Sequence, residues 1–596
     1  MASFQLPTTK TPTTTTNTSA SASASLFLLK GRRISISRKG HYHYTHKITC
    51  KASKDDQTPL GDLNRRNVLI GGLGGLYGVT GLGLSPDPFA FADPIAPPDL
   101  SKCGKADLPQ GAKPTNCCPP VSTKIVDFKL PLRSSPPRVR PAAHLAPKDY
   151  IAKYNKAMEL MKALPADDPR SFTQQANIHC AYCDGAYHQV GFPDLQIQVH
   201  NSWLFFPFHR YYLYFFERIL GSLIGDPSFA MPFWNWDSPP GMQMPAMFAD
   251  PNSSLYNKNR DAKHQPPNPI DLDYNTVDEN VTPDQQYSSN LTIMYRQVFS
   301  NGKTAKLFMG SPYRAGDEPD PGAGSLENAP HGPVHVWCGD RTQPNLEDMG
   351  NFYSAGRDPL FYAHHSNVDR MWSIWKTLGG KRQDFTDPDW LNSGFLFYDE
   401  NGQLVSVKVK DCLDASKLGY VYQDVDIPWL KSKPKPRKLK ELVSKIKRGH
   451  AHAAGEKTKM TPLSEFPVTL NGVVRTIVPR PKKSRSKKEK EEEEEVLVIE
   501  DIELDRTNFV KFDVYINDED EPLIRPDKTE FAGSFVNVAH KHGHGKKMKT
   551  KLRLGISDLL EDLGAEDDDG VMVSLVPKYG AGKVTIGGLK IEFASD

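Results

Sequence analysis

The first part of the chain shows a helical pattern of apolar residues. An aromatic and apolar run over residues 211–220 follows Pro207, and proline is tolerated only near the start of a helix. The run therefore predicts a helix that begins close to Pro207 and ends near Gly221. A second helix is predicted after Asp358 and Pro359, because this pair suits the N-cap and first helical positions.

Toward the C terminus, apolar and polar residues alternate along the chain, and this pattern predicts β-strands. The predicted strands cover residues 468–478, 496–504, 509–516 and 571–576. A Lys/Pro-rich stretch at 431–460 precedes them and is predicted to be a solvated linker. Within the β-rich part, the block of mixed charge near 481–495 is predicted to be a disordered insertion.

Six histidines in the helical part form two groups of three. They are His179, His200 and His209, then His331, His335 and His365. Residues four apart, such as His331 and His335, project from the same face of a helix and can converge on one ion. Each histidine taken singly is more often structural, but the two trios together indicate a pair of metal sites. Neutral imidazole binds copper, zinc, iron or nickel, so the spacing does not choose the metal.

The sequence around these histidines resembles the two copper-binding regions of plant polyphenol oxidases, the catechol oxidase and tyrosinase family of type 3 copper proteins. The resemblance extends over essentially the whole chain. It implies a mainly α catalytic core, a four-helix bundle around a dicopper site, followed by a β-rich C-terminal cap. It also implies that His179, His200 and His209 bind copper A, and that His331, His335 and His365 bind copper B. His364 and His365 lie about 100° apart on a helix, so only one of them is expected to point at the metal. The family pattern assigns the second, and His364 is then a packed neighbour.

Three further residues match functional positions of that family. Glu327, four residues before His331, resembles an acidic residue that holds a water and can accept a proton. Phe352 matches an aromatic residue over copper B that forms a wall of the substrate pocket. Gly332 stands where good monophenol hydroxylases often have an asparagine, so it predicts that oxidation of diphenols dominates. Asp369 or Asn367 is expected to support the ligands.

Seven cysteines follow the N-terminal leader. Cys117 and Cys118 are adjacent and do not easily pair with each other, so two bridges to separate partners are expected. The family pattern gives Cys103–Cys118 and Cys117–Cys180, together with a thioether between Cys183 and His200. The Cys180-Ala-Tyr-Cys183 motif is otherwise compatible with redox or zinc chemistry. Cys338 and Cys412 are expected to be buried thiols without an assigned role.

The N-terminal residues have the composition of targeting segments. Residues 1–54 contain no Asp or Glu and are rich in Ser and Thr, which is typical of a chloroplast transit peptide. Twin arginines at Arg65 and Arg66 precede a short, Gly-interrupted apolar run, so 55–92 resembles a twin-arginine thylakoid lumen signal. A secretory signal is the alternative. The catalytic core is then assigned to 93–430 and the shielding domain to 461–596.

Composition adds little to this picture. The chain has 596 residues and a formal net charge of +3, so it is long enough for a large core and a further domain. Nothing in it demands nucleic acid or a membrane partner, and no transmembrane span is expected in the mature protein. His540, His542 and His544 can in principle chelate copper, but a mobile Gly/Lys loop is the better interpretation.

The sequence thus predicts a latent polyphenol oxidase with two copper ions. The expected substrates are a phenolic small molecule and O2, and an activating protease is expected to cut the linker. The predicted reaction is the oxidation of o-diphenols to o-quinones. A monophenol hydroxylase of specialised lignan or flavonoid metabolism is the first alternative. A hemocyanin-like dioxygen carrier is the second.

Overall fold

The computed structural model describes residues 93–131, 136–434, 460–518, 525–541 and 547–594. The predicted targeting segments, most of the predicted linker, His542 and His544 lie outside these residues. The described residues form one compact unit. No helix in the described ranges has the length and apolar character needed to cross a bilayer.

The core is mainly helical. Its helices are α1 Lys148–Ala163, α2 Phe172–Cys183, α3 Phe205–Leu223, α4 Ala246–Ala249, α5 Pro283–Met294, α6 Ala305–Met309, α7 Gly332–Cys338, α8 Phe352–Ala355, α9 Pro359–Thr377 and α10 Pro388–Asn392. Two π-helical turns, Tyr295–Ser300 and Glu327–His331, follow α5 and precede α7.

The two helices predicted from the sequence are both present. Helix α3 contains Pro207 in its first turn, and its side chains are almost all buried, as the aromatic run requires. Helix α9 begins as predicted, because the Asp358 side chain accepts a hydrogen bond from the backbone N–H of Leu360 and Pro359 occupies the first helical position. The two helices pack against each other in the middle of the core.

Short strands close the core. They are β1 Ile125–Asp127, β2 Arg138–Arg140, β3 His188–Gln189, β4 Phe192–Gln196, β5 Gly394–Tyr398, β6 Leu404–Lys408 and β7 Tyr420–Tyr422. The pairing of β2 with β7 fastens the end of the core to its beginning. Disulfides Cys103–Cys118 and Cys117–Cys180 attach the N-terminal segment to α2. Each crosslink of this kind contributes about 2–4 kcal/mol to stability.

The C-terminal part is a sandwich of two antiparallel sheets. Its strands are β8 Val468–Thr469, β9 Val474–Pro479, β10 Glu494–Leu504, β11 Val510–Ile516, β12 Phe531–Asn537, β13 Met548–Gly555, β14 Gly570–Tyr579, β15 Val584–Ile586 and β16 Gly588–Ala594. One sheet has the order β13-β10-β15-β8, with β16 also paired to β10, and the other has the order β12-β11-β14-β9. The four predicted strands are confirmed, except that the first is divided into β8 and β9.

The prediction of a disordered insertion near 481–495 is wrong. Residues Lys487–Glu492 form helix α11, whose first turn is closed by a capping box between Ser486 and Glu489. The acidic end of the block is the start of β10. Glu494 is buried there and forms an ion pair with Lys303 of the core. Glu495 is buried as well, paired with Arg480. The block is ordered where its two buried carboxylates are paired, Glu494 with Lys303 of the core and Glu495 with Arg480 just before the block.

The β-sandwich lies directly on the core, and we call it the cap. Many of the contacts between them are polar: Lys303 pairs with both Glu494 and Asp558, and Arg506 pairs with Asp320. Lys511 of β11, which is fully buried, bonds Asp273 of the core at 3.0 Å and Asp513 of its own strand at 2.7 Å. Strand β12 is buried on both faces and runs over the π-turn that precedes α7. The cap therefore covers the part of the core where the second histidine trio begins.

Candidate metal centre

Three histidines of the first trio converge in the core. His179 comes from α2, His209 from α3, and His200 from the loop that precedes α3, and all three are buried. Their ring centroids are 5.0 Å (His179 to His200), 5.1 Å (His200 to His209) and 5.7 Å (His179 to His209) apart. One nitrogen from each ring lies within 4.8 Å of the others. This spacing suits a single ion between three imidazoles.

The second cluster contains four histidines rather than three. His331 and His335 stand one turn apart at the start of α7, with ring centroids 4.6 Å apart, and His364 and His365 both come from α9. One nitrogen of each ring lies within 4.8 Å of the others. The Nε2 atoms of His335 and His365 are only 3.2 Å apart. The prediction that only one of the two adjacent histidines points at the metal is therefore too simple, because His364 and His365 both place a ring nitrogen in this cluster.

Hydrogen bonds from the backbone fix most of these rings. Nδ1 of His179 lies 2.7 Å from the carbonyl of Phe352, Nδ1 of His209 lies 2.8 Å from that of Phe205, and Nδ1 of His335 lies 2.8 Å from that of Met349. A carbonyl only accepts, so each Nδ1 carries the proton and each Nε2 keeps its lone pair. Among the described residues, the buried Nε2 atoms of His179 and His209 have no hydrogen-bond partner. Such orphaned lone pairs fit metal ligation.

The other ligand candidates, His331, His200 and His365, share only part of this hydrogen-bonding pattern. Nδ1 of His331 lies 3.2 Å from the carbonyl of Glu327, and Nδ1 of His200 lies 3.2 Å from Oε1 of Gln198. Their Nε2 atoms also lack a partner within the described part of the chain. His365 differs, because its Nδ1 is the buried atom without a partner there.

The two clusters adjoin. The rings of His209 and His365 stack at 4.2 Å, and those of His200 and His331 stack at 5.9 Å. Burial lowers the pKa of His179 to about 3 and that of His335 to about 4, because an imidazolium loses its hydration there. The histidines are therefore neutral, the form that binds a transition metal.

Glu327 lies beside this centre. Its Oε1 accepts a 2.7 Å hydrogen bond from the backbone N–H of Asn201, next to His200, while the buried Oε2 has no partner among the described residues. Burial raises the pKa of Glu327 well above its usual range. A bound metal dication would lower the pKa of Glu327. The carboxyl group is thus placed to exchange a proton with a molecule in the centre.

Phe352 lies against the first cluster, whereas the resemblance placed it over the second. Its ring stacks on His200 with a centroid distance of 4.0 Å, and its carbonyl binds His179. The other stacking partner is His540 of the cap, at 5.0 Å. His540 is buried, so the interpretation of its segment as a mobile loop is wrong for this residue. Nothing in the sequence near His540 indicates a contact with a ring so distant in the chain.

Gly332 begins α7 directly under the cap. A β-carbon there would lie 2.9 Å from Cγ1 of Val536, on β12. Asp369 and Asn367 do not bond the ligand candidates. Asp369 instead accepts hydrogen bonds from Tyr420 and from Arg210, and Asn367 donates to Asp237. They fix α3 and α9 rather than the imidazoles.

Comparisons with known proteins agree with this geometry. The common central domain of tyrosinase matches residues 169–378, the polyphenol oxidase middle domain matches 384–435, and the chloroplastic polyphenol oxidase C-terminal domain matches 466–593. The chain is 64% identical over 575 residues to chloroplastic polyphenol oxidase of Malus domestica, covering 96% of each. It is 55% identical over 563 residues to chloroplastic (+)-larreatricin hydroxylase of Larrea tridentata, covering 92% of this chain and 94% of that one. The solved structure of latent apple tyrosinase has a TM-score of 0.75 and 66% identity, covering 79% of this chain and 100% of that chain.

Proposed function

Because this chain belongs to the plant polyphenol oxidase family of dicopper enzymes, we propose that it oxidises o-diphenols to o-quinones with reduction of O2 to water. The observation that carries the proposal is the pair of adjoining clusters of buried, neutral imidazoles with unpartnered ring nitrogens. We propose His179, His200 and His209 as the ligands of copper A. We propose His331, His335 and His365 as the ligands of copper B.

The bound copper pair would supply the electron transfer to dioxygen. The protein holds the rings in one tautomer through backbone carbonyls and excludes bulk water by burial. A catechol would release two electrons and two protons, so two catechols account for the reduction of one O2 to two waters. We assign Glu327 as the acceptor of one of these protons, since its buried Oε2 has no hydrogen-bond partner among the described residues.

Gly332 supports a preference for diphenols. A glycine offers no side chain that would help Glu327 to orient a water, and a monophenol must be deprotonated and positioned before its ring can be hydroxylated. A catechol depends less on that water, because its second hydroxyl offers another route to the metal. The similarity to (+)-larreatricin hydroxylase supports the alternative, a monophenol hydroxylase of specialised metabolism.

Oxygen uptake on a matched pair of substrates distinguishes the two activities. The copper-loaded chain ending at residue 434 should oxidise 4-methylcatechol faster than it hydroxylates 4-methylphenol. In the same shortened chain, Gly332→Asn should raise the ratio of monophenol to diphenol activity. Equal rates on both substrates in the unmodified protein would make the hydroxylase the better assignment.

We propose further that the full-length chain is latent. Val536 packs over Gly332, and His540 packs on Phe352, so the cap covers the entrance to the centre. A cut within residues 431–460, the Lys/Pro-rich linker between core and cap, would allow the cap to leave, and we propose an activating protease as a partner. A chain with a specific protease site in this segment should become active after cutting. The same protein without protease is the control, and equal activity in both would contradict latency.

We propose the thylakoid lumen of the chloroplast as the location. Relatives are named chloroplastic, which supports the organelle, and the twin arginines at Arg65 and Arg66 support the compartment. Import of the full chain into isolated chloroplasts, followed by fractionation, tests this. A double Arg→Lys substitution should leave the protein in the stroma.

A further inference from the structure

The second cluster contains one imidazole more than a copper B site with three ligands needs. His364 is fully buried, stacks on His331 at 5.4 Å, and offers a ring nitrogen within 4.8 Å of the other three ligand nitrogens. Distance alone therefore does not exclude it from the ligand set. Imidazole is a strong ligand for copper, and a fourth one would fill the position that dioxygen or a phenol has to occupy.

The contact between Trp236 and His364 determines which nitrogen of His364 carries the proton. The indole Nε1 of Trp236 donates a 3.1 Å hydrogen bond to Nδ1 of His364. An indole nitrogen only donates, so this Nδ1 accepts and carries no proton. In a neutral imidazole the proton is then on Nε2. Both nitrogens are thereby withdrawn from the metal, Nδ1 by the indole and Nε2 by its own proton.

The indole is held firmly enough to impose this state. Trp236 is fully buried, and its neighbours in the chain are tied to α9, the helix that carries His364. The backbone N–H of Trp234 donates to the carbonyl of Ala363 at 2.9 Å. On the other side, Asp237 accepts hydrogen bonds from Asn367 and Arg370 of α9 and from Trp429. These hydrogen bonds fix the position of the Trp236 segment relative to α9.

We propose that Trp236 is a positioning residue that keeps His364 out of the copper B ligand set and so preserves an open coordination position. The inference rests on the proposed copper sites. The buried Nε2 of His364, which has no hydrogen-bond partner among the described residues, then carries a proton instead of binding copper as a fourth ligand.

Nitrogen ligands can be counted by electron paramagnetic resonance when only one copper is present. In a full-length His209→Ala background, which removes a proposed copper A ligand, a single Cu(II) in the second cluster should show three imidazole nitrogens. Adding Trp236→Phe, which keeps an aromatic ring but loses the N–H, should give four. Adding His364→Phe to that variant should return the count to three.

A second measurement uses the two-copper protein. Trp236→Phe should lower oxygen uptake and slow the loss of one of the two coppers to a chelator by about tenfold or more. His364→Phe in the same chain should reverse both effects, which a merely structural defect would not allow. Trp390→Phe is the matched control, because it removes an equally buried indole N–H that binds a backbone carbonyl, that of Trp203.

Three results would overturn the inference. They are four nitrogens in the His209→Ala parent, three nitrogens after Trp236→Phe, or a Trp236→Phe protein that releases copper like the Trp390→Phe control. Total copper in the unmodified chain is measured separately, and fewer than two ions per chain would contradict the proposed copper sites instead.

Discussion

Replacing Gly332 with alanine is expected to loosen the cap. The new β-carbon would lie 2.9 Å from Cγ1 of Val536 and 3.4 Å from Cγ2 of Val538, so these cap side chains, or the segment that carries them, have to shift. The backbone of Gly332 is already helical, with φ −57° and ψ −51°, so alanine itself fits without strain. The substitution therefore acts on the contact between core and cap rather than on the fold of α7.

The substitution is expected to destabilise cap closure in the full-length chain and to stabilise the core in a chain without the cap. Overpacking of this kind costs about 1–3 kcal/mol. Since about 1.4 kcal/mol corresponds to a factor of ten, the population with a displaced cap should rise about 5- to 150-fold. In a chain that ends at residue 434 the cap is absent, and alanine in place of glycine favours a helix by up to about 1 kcal/mol. The same change should thus stabilise the isolated core and destabilise cap closure.

The assay compares latency rather than activity. For each variant, the rate of 4-methylcatechol oxidation by the shortened chain is divided by the rate of the uncut full-length chain, so that any change in turnover itself cancels. Gly332→Ala should lower this ratio at least about fivefold, in line with the population shift above. Thermal unfolding of the shortened chain should show no loss of stability.

Two further variants test whether the cap is seated on Gly332. Val536→Ala removes the methyl groups that clash, so it should restore much of the latency in the Gly332→Ala chain. Gly588→Ala, where a β-carbon meets nothing within 4 Å, is the control and should leave the ratio unchanged. An unchanged ratio for Gly332→Ala, or no compensation by Val536→Ala, would refute the view that the cap is seated on this glycine.

Three other predictions follow from the site and the interface. His335→Ala should leave one copper per chain and no catechol oxidation, and metal analysis showing two coppers, or retained oxidation, would contradict the ligand assignment. Burial raises the pKa of Asp273 to about 7 from an ordinary 3.8, so folding favours the protonated carboxyl group. The contribution of this group to the free energy of unfolding is full below about pH 4 and is lost as the pH rises to about 7. Unfolding free energies of the unmodified chain should therefore fall relative to Asp273→Asn between pH 4 and 7, by at most about 1.4 kcal/mol per pH unit, and parallel curves would contradict this. Finally, mass spectrometry of the mature protein should find Cys183 joined to His200 with the loss of two hydrogens, and separate peptides of full mass would exclude the thioether.

The sequence predicts most of the elements that carry the histidines. Local chemistry decides the start of α9, because Asp358 caps it and Pro359 begins it, and a mainly aromatic and apolar run indicates the extent of α3. Alternation of apolar residues likewise predicts the main cap strands. These signals are short in range, so they can be identified in the sequence without knowledge of the tertiary contacts.

Contacts between distant segments could not be predicted in this way. The charged block near 481–495 has the composition of a disordered segment, but Lys303 and Arg480 neutralise its buried carboxylates. Trp236 and His364 are 128 residues apart, and nothing local to either indicates that they are hydrogen-bonded. The position of His540 on Phe352 also depends entirely on how the cap sits on the core.

The position of strand β12 affects how the chain folds during synthesis. It is an edge strand of its sheet, and unpaired edges readily join other chains. In the full-length protein the core covers this edge with two side chains: Asn301 donates to the carbonyl of Ala532, and the backbone N–H of Val536 donates to Asn328. Since N-terminal parts fold first, the finished core can receive the cap as it emerges. A cap released by proteolysis would lose that cover and tend to aggregate, which would make activation a one-way event.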